Sequence, residues 1–166
     1  MLVLARRSGL ALLAFAFCAM CANAQGWQHV GAVQRVEKLK DGVELTAGRA
    51  KVRITAFNDT IVRVRVAPLG NFPKDSSWAV IAAPQPPALK VEDTKNELKM
   101  TAGNTSVIVQ KSPFLIRFAD TAGNVLLADE PTLPMAFDGP RVRVWKRMPA
   151  DENYYGLGDK IGRAHV

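Results

Sequence analysis

Two pairs of adjacent acidic residues are the side chains in this sequence that most resemble a hydrolytic centre. Asp129 and Glu130 form one pair, and Asp151 and Glu152 form the other. Hydrolysis of a glycosidic bond needs two carboxyl groups about 5–10 Å apart, one as the acid and one as the nucleophile or base. Neighbours on an extended chain point in opposite directions, and both pairs lie beside turn-forming residues. We therefore interpret all four as surface acids and predict no catalytic residue in the chain.

The residues that metal binding or nucleophilic catalysis would need are scarce. The two histidines, His29 and His165, lie near opposite ends of the chain, so a zinc site or a Ser-His-Asp triad would depend on a near-terminal residue. Cys18 and Cys21 lie in the amino-terminal segment considered next, and Met20 before Cys21 disfavours lipidation, which needs a small residue there. We predict no metal site and no cofactor.

The first 24 residues have the composition of a secretory signal peptide. Arg6 and Arg7 form a charged start, residues 10–21 are apolar, and residues 22–24 are small or polar, as at a cleavage site. The apolar run is shorter than the roughly 20 residues that a membrane-spanning helix needs. We therefore predict removal of residues 1–24, a periplasmic or extracellular location, and no stable membrane anchor.

The charge of the remaining chain is basic but dispersed. The whole sequence has 22 Lys and Arg against 15 Asp and Glu, and only two of the basic side chains belong to the predicted signal peptide. Nucleic-acid binding proteins concentrate their cations on one face or helix, whereas the arginines here occur singly along the chain. Residues 25–166 have the length of one ordinary domain, and we predict no nucleic-acid partner.

Alternation of apolar and polar residues dominates the sequence after residue 42. Val62, Val64 and Val66 would occupy one face of a strand and Arg63 and Arg65 the other, because successive side chains in a strand point to opposite sides. A strand with this pattern buries one face and exposes the other. The same pattern recurs at residues 52–55, 114–118 and 141–144.

Turn-forming residues separate these runs at regular intervals, as in a chain of β-hairpins. Short strands at such spacing, without a convincing helix, predict an all-β fold in which two antiparallel sheets pack as a β-sandwich. The proline-rich residues 84–87 are interpreted as a stiff loop inside this domain. The turn signals are Asp41-Gly42, Asn58-Asp59, Gly103-Asn104, Ala122-Gly123-Asn124 and Asp138-Gly139-Pro140.

Aromatic side chains could provide a platform for a sugar ring, because the CH groups of a pyranose stack on aromatic faces. Trp78 lies in an apolar run and is predicted to be in the core, whereas Trp145 ends an alternating segment and could face either way. No spacing singles out a cleft. The candidates are Trp27, Trp78, Trp145, Tyr154 and Tyr155.

The most specific stretch of the sequence is Tyr154-Tyr155-Gly156-Leu157-Gly158-Asp159-Lys160. Glycines on both sides of Leu157 permit a sharp backbone turn around a buried anchor. The stretch resembles the Tyr-Gly-Leu-Gly-Asp/Glu-Lys signature of glycoside hydrolase family 31, which contains α-glucosidases and α-xylosidases. Residues 59–66, 111–118 and 123–127 also resemble strands of that family's amino-terminal domain, in the same order.

The resemblance implies a galactose-mutarotase-like β-sandwich and a carbohydrate partner. In the family, an Asp nucleophile and an Asp acid lie in a (β/α)₈ barrel that follows this domain and performs retaining hydrolysis of α-linked glycosides. A barrel needs about 250 residues, so we expect a fragment truncated before its barrel. The parent would be a glycosidase acting on α-glucosides or α-xylosides, and the fragment alone would be inactive, with Tyr155 and Asp159 as expected substrate contacts.

Two other readings of the sequence stay open. A mutarotase-like epimerase would share the fold, but it would need a His and Glu acid/base pair, and the two histidines lie near the ends. A secreted module that binds carbohydrate or another partner needs only exposed aromatic residues and a stable sandwich. The sequence does not specify the sugar, the linkage or the oligomeric state.

Overall fold

The protein is built from short β-strands. The computed structural model describes residues 26–77, 80–139 and 141–150, and these contain twelve strands and no helix. Every strand pairing is antiparallel, which confirms the predicted all-β antiparallel fold. The strands are β1 Gln28–His29, β2 Val33–Leu39, β3 Gly42–Ala47, β4 Ala50–Ala56, β5 Val62–Ala67, β6 Leu89–Asp93, β7 Glu97–Ala102, β8 Thr105–Lys111, β9 Phe114–Ala119, β10 Val125–Ala128, β11 Ala136–Asp138 and β12 Arg141–Arg143.

The strands form three sheets. The first sheet has the order β2-β3-β4-β5, the second has the order β10-β9-β8-β7-β6, and the third has the order β1-β11-β12. In the first two sheets, each strand pairs with its neighbour in the sequence, as a chain of tight hairpins requires. Each of these sheets is therefore a meander made by one continuous stretch of chain.

The first and second sheets share one hydrophobic core. Alternation directs every second side chain of β3, β4, β7, β8 and β9 inward, and burying each large apolar side chain contributes about 1.5–3 kcal/mol. The third sheet adds Phe137 to the same cluster. The arrangement is consistent with the predicted β-sandwich. The largest fully buried side chains are Phe114, Leu45, Ile54, Leu98, Met100, Val43, Val52, Val107 and Val109.

Hairpin turns lie where the sequence predicts them, and one pair of turns joins the two sheets. The backbone N–H of Asn104, in the β7–β8 turn, donates to the carbonyl oxygen of Asp59, in the β4–β5 turn, at 2.9 Å. Gly103 has a φ of +55°, and a Cβ at this position would lie 2.4 Å from the Cβ of Asp59. Glycine is therefore required both by the backbone conformation and by the close approach of the turns.

The prediction for the last alternating run is wrong. Val142 and Val144 are 58% and 46% exposed, so neither lies in a sheet core. Strand β12 is the edge of the small third sheet, and that sheet packs only in part against the core. Alternation identified the two faces of this segment, but no layer covers the apolar face within the described residues.

Residues 68–88 join the first sheet to the second without a strand of their own in the part that is described. The backbone N–H of Gln85 donates to the carbonyl oxygen of Phe57 at 2.8 Å, so the proline-rich stretch is attached to the first sheet. The assignment of this stretch to a loop within one domain stays a prediction. No helix in the described part of the chain has the length and apolar character needed to cross a membrane.

Candidate functional site

The predicted substrate contacts and signature residues lie beyond the part of the chain that the structure describes. They remain predictions. The signal peptide at residues 1–24 and the core position of Trp78 remain predictions for the same reason, and His165 also lies outside the described residues. The signature and contact residues are Tyr154, Tyr155, Gly156, Leu157, Gly158, Asp159 and Lys160. The structure does show how the preceding segment, residues 144–150, is attached to the second sheet.

Asp129 anchors that segment from a buried position. Its side chain is 3% exposed and forms an ion pair with the Nζ of Lys146 at 2.5 Å. The backbone N–H of Ile116 donates to the second carboxylate oxygen at 2.8 Å. The prediction that Asp129 is a surface acid is therefore wrong. Because neighbouring side chains point in opposite directions, Asp129 faces inward while the half-buried Glu130 accepts hydrogen bonds from the nearby Thr132.

Backbone hydrogen bonds continue the same attachment on both sides of the ion pair. The N–H of Arg147 donates to the carbonyl of Ala128 at 2.9 Å, and the N–H of Glu130 donates to the carbonyl of Trp145 at 3.0 Å. Residues 145–147 thus lie antiparallel to residues 128–130. This contact holds residues 145–147 beside the end of β10.

Strand β10 forms an apolar edge next to this contact. It is the last strand of the second sheet, and Val125 and Leu126 are 57% and 59% exposed. Met148, at 52% exposure, and Pro149 line the same shallow groove of about 610 Å³, whose lining also includes the charged residues Arg117, Glu130 and Arg147. The apolar edge is therefore continuous with the last described residues of the chain. We call this surface the open edge.

A second groove, of about 580 Å³, lies on the outer face of the first sheet. Its lining includes charged groups from β4 and β5. The guanidinium group of Arg63 donates to both carboxylate oxygens of Asp75, at 3.0 and 2.8 Å. Arg65 also pairs with Asp75, at 3.2 Å, and stacks on the ring of Phe72. We call this surface the sheet-face groove.

The charges at the sheet-face groove are largely compensated by their neighbours. Arg53 donates from Nε and Nη2 to Glu44, at 3.0 and 2.5 Å, and Lys51 pairs with the same carboxylate at 3.1 Å. Hydrogen bonding from Arg53 holds the pKa of Glu44 below its ordinary value of 4.5. Hydrogen bonding from Arg63 likewise lowers the pKa of Asp75. Both carboxylates are therefore charged at neutral pH.

Apolar residues also line the sheet-face groove. Phe57, Ile61, Val80 and Pro84 line it, and the side chains of Ile61 and Val80 are 55% and 57% exposed. The sequence patterns did not indicate this site, because Asp75 lies in an irregular segment twelve residues after Arg63. The sequence predicted only the alternation that places Arg63 and Arg65 on one face of β5.

The other candidates from the sequence do not converge. The exposed His29 has its Nδ1 3.1 Å from the carbonyl oxygen of Pro134. Trp27 is covered by the guanidinium group of Arg143, 3.9 Å from the ring centre, and Trp145 is half-buried. Among the residues that the structure describes, no three His, Cys, Asp or Glu side chains are arranged to hold a metal ion.

Comparison with known proteins assigns the family. Residues 51–165 match the family described as the glycosyl hydrolase 31 N-terminal galactose mutarotase-like domain. The match covers more than half of the chain, so the chain belongs to this family. The resemblance of the sequence to glycoside hydrolase family 31 is thereby confirmed.

Relatives of known name agree with this assignment. The chain is 30% identical over 112 residues to Alpha-glucosidase 2 of Bacillus thermoamyloliquefaciens, which covers 67% of this chain but only 14% of that protein. A family 31 dextranase of Flavobacterium johnsoniae, solved with glucose, aligns with a TM-score of 0.73 at 22% identity, over 81% of this chain and 17% of the dextranase. A family 31 α-xylosidase from a soil metagenome, solved with xylose, aligns with a TM-score of 0.50 at 22% identity, over 58% of this chain and 14% of the xylosidase. The two structures establish the shared fold.

Proposed function

We propose that the chain is the non-catalytic amino-terminal domain of a retaining α-glycosidase, with a galactose-mutarotase-like β-sandwich fold. It supports a (β/α)₈ barrel in which two aspartates hydrolyse α-linked glucosides or xylosides. Family membership and the similarity to Alpha-glucosidase 2 support this proposal. The proposal includes export by residues 1–24 to the periplasm or the exterior.

The open edge is the observation that carries the proposed supporting role. Residues 145–147 pair with the chain only from Ala128 onward, at the end of β10. The rest of this edge strand has no neighbouring strand in the described residues, and an uncovered edge is prone to aggregation. Val125 and Leu126 bring no charge to this edge, and Met148 and Pro149 extend its apolar surface to the last described residues. We therefore assign the open edge to contact with the catalytic barrel, which would continue from the adjacent chain.

The test is to translate the genomic reading frame beyond the codon for Val166, produce the encoded protein, and assay it with 4-nitrophenyl α-glucoside and α-xyloside. We expect hydrolysis with retention of the anomeric configuration, which proton NMR of the released sugar measures. The 166-residue chain alone should release no nitrophenol. A stop codon directly after Val166, or hydrolysis by the isolated chain, would overturn the proposal. A stop codon would instead favour a stand-alone binding or interaction module.

A further inference from the structure

We infer that strand β12, at the edge of the third sheet, binds an extended acidic segment of a separate protein chain as an added strand. β12 is the outermost strand of its sheet and pairs with β11 on its inner side. Within the described ranges, no backbone hydrogen bond joins its outer side to another segment. Extended peptides bind proteins by continuing a sheet at such an edge. The site is made by the third sheet, so the inference does not rest on the proposed role of the open edge beside a barrel.

One face of β12 continues the core side of the third sheet. Val142 pairs in register with Phe137, which is buried and belongs to the hydrophobic core. Residues that pair directly across two strands point to the same face, so Val142 lies on the core side although its own side chain is exposed. Apolar residues at alternate positions of an added strand would cover Val142 and extend the core face by one strand.

The opposite face of β12 carries two arginines beside one aromatic ring. The guanidinium group of Arg143 lies 3.9 Å from the ring centre of Trp27, and that of Arg141 lies 5.9 Å from it. Arg141 also pairs with Asp138, whereas Arg143 has no carboxylate partner in the part of the chain that the structure describes. Stacking orients a guanidinium plane and leaves its N–H groups able to bind a carboxylate through two parallel hydrogen bonds. Acidic residues at the remaining positions of an added strand would meet these arginines.

The charge of β12 favours a reversible contact with another kind of chain. Two β12 strands paired about Val142 would place arginine opposite arginine, and like charges directly opposite each other are destabilising, so a second copy does not fit. Charged side chains keep an uncovered edge soluble, and both arginines of β12 are exposed. Permanent interfaces are more apolar than those that form and separate. β12 therefore differs from the uncharged β10, and its edge fits an acidic partner strand rather than permanent cover by the same polypeptide.

The experiment is a titration of the 166-residue chain with the peptide acetyl-Val-Glu-Val-Glu-Val-Glu-Val-amide, in which NMR measures the amide chemical shifts. We expect saturable shifts in β11, β12 and the indole N–H of Trp27, and slower amide hydrogen exchange in β12. Arg143→Gln should weaken binding by about tenfold or more, since a hydrogen bond from a charged donor is lost. Val142→Ser, which leaves both arginines in place, should also weaken binding. The control is Arg35→Gln, because Arg35 is an exposed arginine on β2, the edge strand of the first sheet.

Four results would overturn the inference. The first is the absence of saturable shifts at millimolar peptide, and the second is an equal loss of affinity in Arg35→Gln and Arg143→Gln. The third is binding of tripolyphosphate as tightly as the peptide, which would show an anion site without strand addition. The fourth is loss of peptide binding in a longer product of the same reading frame, because the polypeptide itself would then cover β12. Unchanged amide shifts away from the substituted residue show that each variant is folded. Because the titration requires no hydrolysis, its failure is distinguishable from failure of the glycosidase proposal.

Discussion

The two edges of the second sheet differ in how they face their surroundings. Strand β6 carries Lys90 and Glu92, which pair with each other at 2.6 Å, and its last residue, Asp93, pairs with Lys111 at 2.6 Å. Strand β10 at the other edge has the sequence Val-Leu-Leu-Ala and no charged residue. Charged side chains on an edge strand discourage pairing with another chain. The comparison indicates that β6 is adapted to solvent, whereas β10 is adapted to being covered.

The carboxylates at the ends of the two edge strands also differ in exposure to solvent. Asp93 has a side chain that is 36% exposed, whereas that of Asp129, directly after β10, is 3% exposed. Water and salt screen the Asp93 carboxylate in part, although its partner Lys111 is only 15% exposed. A buried carboxylate that also accepts a backbone hydrogen bond stabilises the fold more strongly, because its removal leaves a buried donor without an acceptor. The open edge thus depends on a buried polar contact that the β6 edge lacks.

Asp129→Ala should give the largest effect on this comparison. It leaves the N–H of Ile116 without its acceptor and Lys146 without its partner, and we expect a loss of about 3 kcal/mol in the free energy of unfolding. Urea denaturation measures this loss. The control, Asp93→Ala, should cost less than Asp129→Ala, because the Asp93 carboxylate is 36% exposed. Equal losses in the two variants would contradict the difference between the edges.

Exchanging charge between the edges should alter self-association more than stability. Leu126→Lys introduces a charge on the open edge, and we expect less association of the isolated chain with a stability change within about 0.5 kcal/mol. Lys90→Leu removes the charge that protects β6 and should increase association. Light scattering as a function of protein concentration tests both. If Leu126→Lys left association unchanged, the open edge would not be the surface through which the chain self-associates.

The smallest effect concerns the titration of the β6 edge. Hydrogen bonding from Lys90 lowers the pKa of Glu92 below its ordinary value of 4.5. A lowered pKa in the folded state means that the pair stabilises the fold above about pH 4.5 and that this contribution is lost as the pH falls through the lowered value. Carbon NMR of the Glu92 carboxyl group should give a midpoint below 4.5. In Lys90→Ala the midpoint should return toward the ordinary value, and an unchanged midpoint would assign the shift to another cause.

Much of the fold was predictable because strand periodicity and turn chemistry are local. The alternation at residues 52–55 and 114–118 correctly placed Val52, Ile54, Phe114 and Ile116 in the core. Alternation shows which side chains share a face, but not whether another layer covers that face. Val142 is exposed for this reason.

The environment of individual acids was less predictable. The rule that neighbours point in opposite directions correctly separated Asp129 from Glu130, but both were predicted to face solvent. The partner of Asp129 is Lys146, which follows it by seventeen residues in the sequence, with strands β11 and β12 in between. No local sequence pattern links the two residues. The sheet-face groove was missed because the position of Asp75 depends on an irregular segment. The predicted signature residues lie outside the described ranges, so their placement remains untested.

The meander order of the two main sheets has a consequence for how the chain folds. Every ladder in them joins strands that are consecutive in the sequence, so the contacts within each sheet close short loops, which costs little entropy. The long-range step is the docking of one finished meander, residues 33–67, onto the other, residues 89–128. Topologies dominated by local contacts fold faster than those with interleaved strands. The connection at residues 68–88 is therefore the natural site for dividing the protein into two fragments that reassemble.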